Sequence, residues 1–65
     1  MLSGTVTAFS DERGLGSVTT DQGHAYLFHM IEIADGSRTI EVGQAVCFQP
    51  LAKFGSFQAG HIVKV

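Results

Sequence analysis

The sequence has no tryptophan, one cysteine (Cys47), one proline (Pro50) and only four lysines and arginines. A lone cysteine cannot close an intramolecular disulfide. The start, Met1-Leu2-Ser3-Gly4-Thr5, lacks the basic and apolar segments of a signal peptide. Together these predict a reduced, cytoplasmic protein. No apolar run approaches the roughly 20 residues of a spanning helix, so no membrane segment is expected. Six acidic residues outweigh the four basic ones for a net charge of −2, so no global positive field draws in a polyanion. Any such partner must be held locally. With 15% charged and 45% hydrophobic residues, the chain belongs with compact proteins and away from disordered ones. Its 65 residues allow a single domain, 1–65, with a small core.

Eight glycines punctuate the chain, and no segment between them sustains a helical apolar period. That pattern predicts an all-β fold. Strand-length segments rich in β-branched and aromatic residues run over residues 3–10, 15–20, 24–30, 44–51 and 57–65. Asp11-Glu12-Arg13-Gly14 and Asp21-Gln22-Gly23 have the polar-then-glycine chemistry of short hairpin loops, which makes the first three strands an antiparallel meander. Residues 30–33 can form one helical turn. Residues 34–43 are then the longest connection, Pro50 marks a strand edge or end, and residues 53–56 make the last loop. A flat sheet this small would leave two open edges, so closure into a barrel is expected. Val6, Val18, Tyr26, Phe28, Ile31, Ile33, Val46, Phe48 and Ile62 suffice to fill it, with Cys47 beside them as a small apolar side chain.

Two local signatures carry a resemblance. Arg13-Gly14-Leu15-Gly16-Ser17-Val18 is a basic-Gly-x-Gly motif, and Tyr26-Leu27-Phe28-His29-Met30 follows it about a dozen residues later. With Gly4-Thr5-Val6-Thr7-Ala8-Phe9-Ser10 before them, and Thr39 to Phe48 and Gln58 to Ile62 after, the chain resembles the bacterial cold-shock proteins over nearly its whole length. The resemblance implies a closed five-stranded antiparallel Greek-key barrel of the oligonucleotide-binding type. The first three strands of such a barrel present a face to single-stranded RNA or DNA, where bases stack on aromatics and cations track phosphates. Phe9, Arg13 and His29 stand at matching positions. The resemblance implies for them a side stacking platform, a phosphate contact and a stacking or hydrogen-bonding imidazole.

The rest of that face departs from the family. Ala8 replaces a tryptophan, Thr7 a lysine, and Leu15, Ser17, Leu27 and Met30 stand where phenylalanines are usual; the aromatic of the long loop is missing near Ser37. A base stacked on an aromatic contributes about 1–3 kcal/mol, so these losses remove several kcal/mol. With two or three phosphates neutralised, the single-strand salt slope would be about −1.4 to −2.1. Phe54 and Phe57, near the last loop, either relocate a stacking platform to the groove rim or tuck onto the barrel end. Alternation from His29 turns Leu27 outward and Tyr26 and Phe28 inward, which moves aromatic bulk from face to core; a one-residue slip would reverse this.

The expected function is weak, sequence-tolerant, RNA-chaperone-like binding of single-stranded RNA or DNA. Its expected site is Phe9, Arg13, Leu15, Leu27, His29 and Met30, with Lys53, Phe54 and Phe57 at the rim. The alternative is a protein partner or a homodimer joined through the exposed aliphatic face of Ala8, Leu15, Leu27 and Met30. No cofactor is expected: His24, His29, His61 and Cys47 do not converge as metal ligands, and no nucleophile arrangement or nucleotide-cradling loop is present.

Overall fold

A computed structural model describes residues 1–53 and 56–65, and the side chains of these except at 53 and 56. The strands are β1 (Leu2–Ser10), β2 (Leu15–Thr20), β3 (Ala25–His29), β4 (Ala45–Lys53) and β5 (Ser56–Lys64), with a single 3₁₀ turn at Met30–Glu32. They close into a barrel in the order β1-β2-β3-β5-β4, with β4 returning to β1. The expected all-β, closed five-stranded architecture is present. One detail differs: β3 and β5 run parallel, meeting at Leu27 and Gln58, so the barrel is mixed and not wholly antiparallel. Alternation within a strand reveals which face is buried but not which distant strand completes the ring.

Both hairpin loops form as their glycines require. Gly14 (φ +65°) and Gly23 (φ +84°) sit in left-handed conformations that cost a residue with a Cβ more than glycine. Strand β4 continues past Pro50 to Lys53. It pairs with β1 only over Ala45–Phe48, so Pro50 sits beyond that ladder, where its missing N–H is tolerated.

Val6, Val18, Phe28, Ile33, Val46, Phe48 and Ile62 fill the interior, joined by Ile40 from the long connection and by Ala59. Phe28 inside and Leu27 outside fix the strand register and exclude the slipped alternative. Tyr26 is half-buried, its ring tilted against Phe48 at a centroid distance of 5.1 Å. Two expectations fail. Ile31 is 67% exposed, because the 3₁₀ turn rotates its side chain outward while Ile33 returns to the core. Cys47 is half-exposed on the outer surface, since Val46 and Phe48 on either side of it point inward; its Sγ lies 3.8 Å from Ser3 Oγ.

The long connection is pinned to the barrel. Ile40 inserts into the core, and Lys64 Nζ reaches Asp35 Oδ2 at 3.0 Å and donates to Ser37 Oγ at 3.1 Å. The Ser37 hydroxyl first, then its backbone N–H and the Lys64 ammonium, hold the Asp35 carboxyl at about 2, below its usual 3.8. No helix among the described residues is long and apolar enough to cross a membrane.

Candidate nucleic-acid interface

The site is set by an irregularity in β1. Val6 pairs with Val18 and Ala8 with Ser17, so Thr7 is an extra residue in β1 with no opposite number. Such a bulge reverses the alternation beyond it. Val6 is buried, Ala8 then turns outward, and Phe9 turns back toward the barrel. Phe9 is half-buried with its ring nearly parallel to that of Phe28, 7° between planes and 6.0 Å between centroids.

Gly16 is the residue paired with both Phe9 and Phe28. A Cβ there would lie 2.5 Å from Phe28 Cζ and 2.6 Å from the Ala8 carbonyl oxygen. The absence of a side chain is what lets the two rings approach across β2. The second glycine of the basic-Gly-x-Gly motif is therefore a packing requirement.

Its first glycine has a different task. Gly14 N–H donates to the Ser10 carbonyl and Met30 N–H donates to the Gly14 carbonyl, both at 2.8 Å. This ties the β1–β2 loop to the end of β3. Arg13, in that loop, is held by its own N–H donating to Ser10 Oγ at 3.4 Å while its side chain remains exposed. Met30 lies directly against Gly14: a Cβ on the glycine would meet Met30 Sδ at 2.9 Å. Met30 is consequently half-buried against the core and does not lie on the open face. The expected aliphatic face shrinks to Ala8, Leu15 and Leu27.

Two adjoining clefts open on the outer surface of β1–β3. The first, about 160 Å³, is bounded by Leu15, Leu27, His29 and Gln58 over a floor of Gly16 and Phe28. The second, about 290 Å³, lies on the β1 side, between Ala8, Phe9 and Ser10, Arg13, and Ser17. Leu15 and Leu27 line both clefts, as does Gly16. Leu15 pairs with His29 and Ser17 with Leu27, so the two leucines sit diagonally across β2 and β3 and form a ridge. Leu27 is 63% exposed and Leu15 40%. Among the described residues Arg13 is the one fixed cation lining either cleft. Lys64 is engaged with Asp35, and Arg38 stands in the long connection, where neither lines a cleft.

Five of the expected site residues thus come together: Phe9, Arg13, Leu15, Leu27 and His29. Phe57 is 64% exposed, so it does not tuck onto the barrel end, but it lines neither cleft. Phe54 and the side chain of Lys53 lie outside the described residues. Gln58, absent from the expected set, joins the first cleft because parallel pairing sets it beside Leu27. Nothing local in the sequence announces that pairing. Among the described residues, no group of three metal-ligating side chains comes together.

No family model matches the chain. Among curated proteins, cold shock protein 1 of Lactiplantibacillus plantarum is 34% identical to it over 64 residues, which is 97% of each chain. With an identity of that extent over nearly the whole of both chains, on a closed five-stranded barrel, the chain belongs to the cold-shock protein family.

Proposed function

We propose that this cold-shock domain binds single-stranded RNA or DNA on the outer face of β1–β3, weakly and with little sequence preference, as an RNA-chaperone-like module in the cytoplasm. One observation carries the reading: Leu15, Leu27 and His29 are exposed together over the paired clefts, with Arg13 at their margin. Apolar side chains give a base a surface to rest on, the imidazole adds a flat polar ring, and the guanidinium contacts phosphate. Weakness follows from the same residues. Aliphatic platforms lack the π-stacking of aromatic ones, and the single fixed cation that lines the clefts among the described residues releases few counterions. Binding needs no cofactor and no catalysis, only capture of an unpaired strand.

Self-association through Ala8, Leu15, Leu27 and Met30 has less to support it, because Met30 is half-buried against the core and the remaining patch is small. The test is titration of the protein with a pyrimidine-rich oligonucleotide at low salt, followed through backbone amide signals. Shifts concentrated in β1–β3 and the 11–14 loop, diminishing with added salt, are expected. No shift at millimolar oligonucleotide would sink the proposal.

A further inference from the structure

The outer face of β1–β3 is not uniform along its length. Past Ala8, Ser17 and Leu27 it continues as Thr7, Thr19 and Ala25, all short side chains. There the Thr7 hydroxyl lies 3.0 Å from both Ser17 Oγ and Thr19 Oγ1, so the three hydroxyls engage one another. That region offers a strand neither a cation nor a flat apolar surface. In the opposite direction Met30 is half-buried, packed against Gly14 and the core. Among the described residues, what remains between is two clefts, one ridge and one fixed cation.

We infer that the face holds two adjacent nucleotides, one base in each cleft astride the Leu15–Leu27 ridge, with Arg13 on the single phosphodiester that joins them. The inference rests on the nucleic-acid reading above and fixes its extent. Two neighbouring bases have one phosphate between them, and among the described residues the clefts supply one fixed positive charge to meet it. Bases beyond the pair would lie over the hydroxyl region or outside both clefts. They would add little.

The experiment compares thymidine with oligothymidylates of two to six nucleotides by amide titration at fixed low salt, then repeats the dimer and hexamer across a salt series. Affinity should rise sharply from nucleoside to dinucleotide. From dimer to hexamer it should gain only about fivefold, the statistical advantage of five registers. Both should show a log–log salt slope near −0.7, the value for one phosphate on a single strand. Thr7→Ala and Phe57→Ala should leave hexamer affinity within about twofold, since neither residue lines a cleft. A gain of about tenfold for each nucleotide beyond two, a slope steeper than about −1.4, or a fivefold loss in either variant overturns the two-nucleotide footprint while leaving binding itself intact. Absence of binding at every length overturns the nucleic-acid reading instead.

Discussion

Strands β1–β3 carry two surfaces built to different standards. Inside, Val6, Val18 and Phe28 are wholly buried, and Gly16 is hemmed so closely that not even a methyl group fits. Outside, the same strands present Thr7, Ala8, Leu15, Ser17 and Leu27, side chains that touch one another through a few hydroxyl contacts and a leucine ridge. The inner surface holds the barrel together, so a change there is felt through packing. The outer surface is free to change chemistry without changing the fold. A chain 34% identical to a cold shock protein can thus hold the barrel on its packed interior while its face is aliphatic.

The comparison breaks most visibly at Phe28. A domain of this size has about 3–10 kcal/mol of stability in all, and truncating a buried phenylalanine costs about 3–5 kcal/mol. Phe28→Ala should therefore abolish or nearly abolish cooperative unfolding in urea. Gly16→Ala comes next: overpacking against Phe28 and the Ala8 carbonyl should cost about 2–3 kcal/mol, read as a lowered urea midpoint. By contrast Leu27→Ala should shift stability by no more than about 0.5 kcal/mol yet weaken oligonucleotide binding about tenfold. A large loss of stability from Leu27→Ala would erase the distinction between the two surfaces. Arg13→Gln sharpens the same point, leaving the unfolding midpoint in place while flattening the salt slope of binding toward zero.

The smallest effect lies away from both surfaces, at Asp35. Its carboxyl is held at about 2 against a usual 3.8, so the charged form is favoured by folding. The resulting stability is fully present above 3.8 and is lost as pH falls through about 2. Comparing urea midpoints of the protein and its Asp35→Asn variant across this window should show the protein's advantage shrinking as pH falls. Because the ion pair is solvent-exposed, the effect should be slight and should weaken with salt.

Much of this was legible in the residues. The alternation of Tyr26, Leu27, Phe28 and His29 sets which side chains face in, and the two hairpin loops are written in their glycines. Ile31 departs from the expected core position because a 3₁₀ turn does not follow a two-residue period. Cys47 faces outward by the alternation of its own strand, with Val46 and Phe48 on either side pointing in. Ile40 gives no periodic signal, since it reaches the core from an irregular connection. The bulge at Thr7 carries no glycine or proline to mark it, and so the inward turn of Phe9 was hidden. The place of Gln58 depends on a parallel pairing between residues distant in sequence, and the partial burial of Met30 on its contact with Gly14.

The most direct test of the central claim is a residue-resolved amide titration with a pyrimidine-rich oligonucleotide, run in parallel on the protein and on Leu27→Ala. The account predicts salt-sensitive shifts at Arg13, Leu15, Leu27, His29 and Gln58 in the protein, greatly weakened in the variant, with both barrels equally folded. Shifts centred instead on the β4–β5 side or the long connection, unaffected by Leu27→Ala, would contradict it.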